Sequence, residues 1–288
     1  MKYLKTIVAS ILSVILCIVP FLTFEKEQAQ GQREVITLWN VDCFEGGVGS
    51  RTDFLAKAAK KFSKKENVIF LVTSHTVESA ERMLGEGELP DLISYGPSLV
   101  GIVPAIETKI WAYGKYILYS LQDNFDDVKN VVLSKNNDTL PELAAKFMSI
   151  SGTIELSLSA YVHFTSGKYD YLLGTQRDFF RLTSSNRTFF YRECNEFTDM
   201  IEYISLCNEE HSTVCRRYIE FLCSDETQKE VKKIGLYNAD FTGFDDTHIP
   251  VRLTLPTGCG REGIEELRKR ADTEDEKLLK NALKVVDS

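Results

Sequence analysis

Three short apolar runs separated by two helical stripes occupy the stretch from Ile36 to Ser94. Ile36–Trp39, Val68–Thr73 and Leu92–Ser94 are β-prone and bounded by polar or turn residues, the pattern of short buried strands. Between the first two, Phe54, Leu55, Ala58, Ala59 and Phe62 recur at helical spacing; Val77, Ala80, Met83 and Leu84 mark a shorter helix after the second. Glu66-Asn67 and Gly85-Glu86-Gly87 supply the turns. A β-α-β-α-β order with such short connections predicts parallel strands in a doubly wound sheet. Ligands of these sheets sit beyond the carboxyl ends of the strands, which here are marked by Trp39-Asn40, His75 and Tyr95-Gly96.

The glycine loop between the first strand and helix lies on that same edge. Gly46, Gly47 and Gly49 precede Ser50, and Ser50 with Asp53 fits a capping box that opens the helix. The free N–H groups of the first turn then face whatever sits above the loop. Nucleotide chemistry does not fit the spacing. A Walker loop needs lysine where Gly49-Ser50-Arg51-Thr52 has none, and a dinucleotide fingerprint needs a third glycine where Thr52 stands. A tight turn, or a loop that touches a ligand other than a nucleotide, remains.

Lys2 and Lys5 precede a run from Thr6 to Phe24 that no charge interrupts. Such a run is a secretion signal or a membrane anchor rather than part of the fold. A small residue is missing both at a cleavage site near Ala29 and before Cys17, which favours retention as an anchor over cleavage or lipidation. The flanking lysines place the remaining chain outside. A formal charge of −8 without a dense basic stretch argues against nucleic-acid binding. The six cysteines beyond the apolar run permit disulfides, but Cys207, Cys215 and Cys223 read as small core residues. His75, His163, His211 and His248 are scattered, and no zinc-type pair or other cofactor motif appears.

Further along, Tyr113–Tyr119, Tyr169–Leu173 and Thr188–Tyr191 read as strands. Thr139 to Phe147, Ser157–Phe164, Phe197–Leu206, Val214–Leu222, the segment from Ser224 to Gly235, Glu262–Arg270 and Glu274–Val285 read as helices.

Four stretches together resemble the bacterial extracellular solute-binding proteins of ABC importers, in their carbohydrate-type cluster and a clostridia-like subgroup. They are "ITLWNVDCFEGGVGSRTDFLAKAAKKF", "GELPDLISYG", "FTSGKYDYLLGTQRDFFRL" and "CRRYIEFLCSDETQKEVKKIGLYN". The resemblance implies an α/β, periplasmic-binding-protein-like fold of two lobes with doubly wound sheets, the second lobe reduced. It implies residues 1–30 as signal or anchor, 31–110 as the first lobe, and 111–288 as the second lobe with returning C-terminal helices. The implied role is capture of a sugar-like solute outside the membrane for ABC permease subunits, without catalysis. A sugar cleft needs ring faces and planar polar groups. The first lobe offers Trp39, Phe44 and Tyr95 as faces, Asp42, Glu45 and Arg51 as polar groups, and Gly46 and Gly47 for close backbone approach. The second offers Trp111, Tyr113, Gln176, Arg177 and Asp178. Two alternatives stay open: a membrane-tethered sensing module, and a glycosidase-type enzyme using Asp42 and Glu45 as its carboxylates.

Overall fold

The computed structural model describes residues 33–41, 49–135, 139–239, 251–253, 260–271 and 283–284. The apolar leader, Cys43, Asp42, Phe44, Glu45, Gly46, Gly47, Cys259 and most of the expected last helix lie outside these residues. The chain opens with β1 (Glu34–Val41), α1 (Arg51–Glu66), β2 (Val68–His75), α2 (Val77–Gly85), β3 (Leu92–Tyr95) and β4 (Glu107–Tyr113). It continues with β5 (Tyr116–Ser120), β6 (Val131–Ser134), α3 (Pro141–Phe147), β7 (Ile154–Ser157), α4 (Ala160–Thr165), β8 (Tyr171–Thr175), α5 (Gln176–Ser184) and β9 (Phe190–Glu193). Then follow β10 (Phe197–Thr198), β11 (Ile201–Leu206), α6 (Ser212–Leu222), α7 (Asp225–Val231), β12 (Tyr237–Asn238), β13 (Val251–Leu253), α8 (Gly260–Ala271) and β14 (Leu283–Lys284).

Two mixed sheets, one per lobe, carry the fold, beside a small three-stranded sheet β10-β13-β14. The first has the order β12-β4-β11-β3-β1-β2 and the second β7-β6-β8-β5-β9. As the sequence predicts, β1 runs parallel to both β2 and β3. The stripe of α1 buries Phe54, Leu55, Ala58, Ala59 and Phe62 against Ile36 and Leu38 of β1 and Tyr218 and Ile219 of α6. Asp91 pins the start of β3: Oδ2 accepts from the N–H and hydroxyl of Thr37, both at 2.7 Å, and Oδ1 lies 2.9 Å from His211 Nδ1. That bond is the main reason the His211 imidazole is held above its usual range.

Several expectations need correction. The strand expected over Tyr113–Tyr119 is two strands, β4 and β5, interrupted at Gly114-Lys115 where the chain passes between sheets. Trp111–Tyr113 therefore still belong to the first lobe, and Ile201–Asn238 return to it. The helix expected over Phe197–Leu206 is β10 and β11. Strand β11 pairs antiparallel with both β3 and β4 and is almost wholly buried. A strand covered on both faces loses its alternation, and its apolar run then mimics a helical stripe. The helix expected over Ser157–Phe164 is α4, and Ile154–Ser157 just before it is strand β7, which the sequence did not suggest.

The lobes join through two crossing segments that bond to each other. Gly114 N–H donates to Met200 O at 2.6 Å, Thr198 Oγ1 to Gly114 O at 2.8 Å, and Cys194 N–H to Tyr116 O at 2.9 Å. A Cβ at Gly114 would lie 2.6 Å from Met200 Cβ, so only glycine permits this approach. Helix α8 makes a third connection. Gly260 sits against Val100 O of the first lobe, while Ile264 and Ala271 are buried in the core of the second.

Asp199, fully buried between the crossings and α3, accepts from Tyr116 Oη at 2.8 Å and from Leu140 N–H. Burial lifts its carboxyl to about 7, against the opposing pull of those bonds. An unfolded Asp titrates at about 3.9. Between the two values the folded protein keeps a proton that the unfolded chain has lost, so this group's stabilisation falls as pH rises through that window. The thermal midpoint should therefore carry a component that declines from about pH 4 to pH 7 and is missing in Asp199→Asn. Parallel pH profiles for the two proteins would exclude it.

Candidate functional site

Two helices begin at the junction of the lobes. Helix α1 starts at Ser50, whose Oγ accepts from Asp53 N–H at 3.0 Å. Helix α5 of the second lobe starts at Thr175 in a full capping box with Asp178; the Asp178 carboxylate accepts from Thr175 N–H at 3.0 Å. Phe180, on the first turns of α5, lies directly against Gly49 at the head of α1. Gly49 has φ +89°, and any side chain there would collide with the Phe180 ring. The lobes are thus closed on each other, with two sets of helix N-terminal N–H groups at the junction.

The candidate polar residues divide by role. Arg51, the first residue of α1, is buried and forms an ion pair with Glu202 of β11. Gln176, the first residue of α5, is 5% exposed and packs against Gly235, where a Cβ would stand 2.7 Å from Gln176 Cβ. Arg177 is half-buried, its N–H donating to Thr175 Oγ1 at 3.3 Å. Asp178 is fully engaged as a helix cap, with Arg181 3.4 Å away. Burial raises its carboxyl above the usual range, against the Thr175 N–H and Arg181. The structure therefore gives Asp178 a structural task, and brings Arg51 and Gln176 to the junction.

The expected aromatic faces are used inside the lobes. Trp111 has no exposed surface, stacks on Phe54 with centroids 5.5 Å apart, and donates from Nε1 to Ser94 Oγ at 3.1 Å. Trp39 packs with Val77, Ala80 and Ile93 beneath α2, its ring 4.7 Å from that of His75. Burial lowers His75 below its usual range, with Glu88 opposing. Tyr95 lies beside Tyr203, and its hydroxyl is 3.1 Å from Ser205 Oγ. Tyr113 is buried with Ile201 and Tyr237. These four rings are corrected from ligand faces to core: α1 covers Trp111, α2 covers Trp39 and Tyr95, and neighbouring strands enclose Tyr113.

Sequence reasoning missed Glu202, Lys115 and Phe180. Lys115 is 1% exposed, pairs with Glu193, and lies 4.6 Å from the Tyr237 ring centroid. A charged residue inside an apolar run, as in Ile201-Glu202-Tyr203-Ile204, was the available signal. Among the described residues, no group of three His, Cys, Asp or Glu side chains is placed to hold a metal ion.

No family model matches this chain, and no curated protein does. Solved structures match by shape. The PBP AgtB from A. tumefaciens R10, in complex with agropinic acid, is 12% identical with a TM-score of 0.57; 84% of this chain and 99% of that one are covered. Iron-bound HitA from Pseudomonas aeruginosa is 14% identical with a TM-score of 0.56, over 83% and 99% of the two chains. The sulfate-binding protein SubI from Mycobacterium tuberculosis H37Rv is 12% identical with a TM-score of 0.53, over 81% and 99%. The chain has the two-lobe, periplasmic-binding-protein-like α/β fold.

Two outcomes follow from this packing. Trp39→Ala should destabilise the first lobe by about 3–5 kcal/mol, the cost of emptying a buried tryptophan site, as read from denaturant unfolding. A binding defect with unchanged stability would instead make Trp39 a ligand face. Gly49→Ala should lower the thermal midpoint through both strained φ and the clash with Phe180. Adding Phe180→Ala should relieve the clash but not the strained φ, so the double variant loses less than the two single effects summed.

Proposed function

We propose that this protein is an extracellular solute-binding protein that holds a small polar solute between its lobes and hands it to an ABC importer. The observation that carries this reading is the junction itself. Helices α1 and α5 both begin there, and buried polar side chains from both lobes meet around a two-segment crossing. Such crossings let two lobes close around a ligand, as hinge closure does in periplasmic binding proteins. Solved structures of this shape include an iron-bound protein, a sulfate-binding protein and a complex with agropinic acid, so the shape alone leaves the solute class open.

The resemblance in sequence points toward a sugar or oligosaccharide. Stacking on Trp39, Tyr95, Trp111 or Tyr113 is not what supports it, since those rings are packed in the lobes. A compact solute bound through hydrogen bonds fits the described walls better. The run Thr6–Phe24 behind Lys2 and Lys5 supports export and retention at the outer face of the cytoplasmic membrane. The reading assigns binding and no catalysis.

Thermal unfolding of the full chain in detergent tests this. Sugars, amino acids, amines and oxyanions are added in turn. A true solute at a hundred times its Kd should add about 2.7 kcal/mol of stability. Failure of every class to shift the midpoint would remove the proposal.

A further inference from the structure

Among the described residues, three buried oxygen acceptors at the junction have no hydrogen-bond partner. Glu202 is 2% exposed; Oε1 takes Arg51, while Oε2 has no hydrogen-bond partner among the described residues. Asn40 is fully buried; Nδ2 donates to Thr52 Oγ1 at 2.9 Å, and Oδ1 is left over. The Gln176 Oε1 is buried and equally without a partner. Buried polar atoms are almost always satisfied, and orphans at a cleft mark a group that something else completes.

These acceptors belong to one neighbourhood. Asn40 is bonded to Thr52 on the first turn of α1, next to Arg51, which holds Glu202. Gly49, just before this turn, lies under Phe180. Phe180 and Gln176 stand one turn apart on α5, and both touch Gly235. The first lobe thus supplies Asn40 and Glu202, and the second supplies Gln176. The two charged pairs around them, Arg51–Glu202 and Lys115–Glu193, are each internally compensated.

The sign of the unused capacity selects the solute. An oxyanion offers acceptors only and would face three more acceptors, one of them a carboxylate oxygen; of the helix-start N–H groups that could answer it, those of Asp53, Phe54 and Arg177 are already taken by Ser50 and Thr175. A sugar hydroxyl can donate, but only one hydrogen, and it brings acceptor lone pairs that these oxygens cannot answer. A primary ammonium offers three donors, no acceptor and a positive charge. We propose that the captured solute carries a primary ammonium group, received by Glu202, with Asn40 and Gln176 accepting from N–H donors of the same molecule. This rests on the solute-capture reading above and narrows it to amino-acid-like or amine solutes.

The experiment measures thermal shift and calorimetric Kd on the full chain in detergent. The probes are the standard amino acids, short linear diamines and ω-amino acids, with choline as a cation lacking N–H donors, and maltose and sulfate as the other classes. At least one primary amine should bind and choline should not. Glu202→Gln should weaken that amine by roughly tenfold or more, since a charge-assisted bond becomes a neutral one. Gln176→Glu should tighten it, because a carboxylate at the first position of α5 suits both the helix and the cation. This gain identifies the site even if Glu202→Gln fails to fold. Binding of maltose or sulfate but no amine would overturn the inference while leaving solute capture standing. An amine whose affinity ignores both substitutions would place it at another site and overturn the inference. Silence from every probe would overturn both readings.

Discussion

The close approach of Gly114 to Met200 is the constraint on which the two-lobe arrangement rests. A side chain at Gly114 would meet Met200 at 2.6 Å, and the bonds that tie the two crossing segments would not form. Without them, β4 and β5 would read as one continuous strand, and the sheets could not separate at this point. Burial around the crossing is almost complete: Tyr113, Lys115, Tyr116, Thr198, Asp199 and Met200 are all removed from solvent. Every polar group there must then be matched within the protein, which explains the density of hydrogen bonds at a place where the chain merely changes sheets.

Charges near the crossing follow the same rule. Lys115 could not be buried without Glu193, nor Arg51 without Glu202, because an unpaired ion in such surroundings is strongly unfavourable. Asp199 solves the problem differently, by taking two hydrogen bonds and shifting its carboxyl toward the protonated form. Such pairs give little net stability beyond what well-packed apolar groups would provide. Their place at the junction of the lobes fits a device for position better than one for strength.

Much of the first lobe was legible in the sequence, because its signals are local. The α1 stripe, the three parallel strands and the cap at Ser50 depend on residues within a turn or two of each other. Strand β11 was not legible: Ile201, Tyr203 and Ser205 face one layer while Ile204 and Leu206 face another, and burial on both sides erased the alternation. Trp39 and Trp111 were misjudged for a related reason. A ring near a strand end looks the same whether it meets a ligand or a covering helix, and here Phe54 of α1 and the apolar face of α2 take that place. The Arg51–Glu202 pair joins residues far apart in the chain, so neither residue announces the other.

Helix α8 is fastened at both ends to different bodies. Its Arg261 reaches Glu78 and Glu81 of α2 through half-exposed pairs, and Gly260 rests on the turn around Pro97–Leu99. Its Arg268 is buried, held by Glu142 at 3.2 Å and by Thr139 O at 2.5 Å in the second lobe. The exposed pairs are weak and screened by salt, while the buried set is costly to break. Were the lobes to part, these contacts would carry α8 with the second and release it from the first. On the solute-capture reading it would work as a latch, tying the dwell time of a captive molecule to how fast the latch slips, at a point remote from the captive itself.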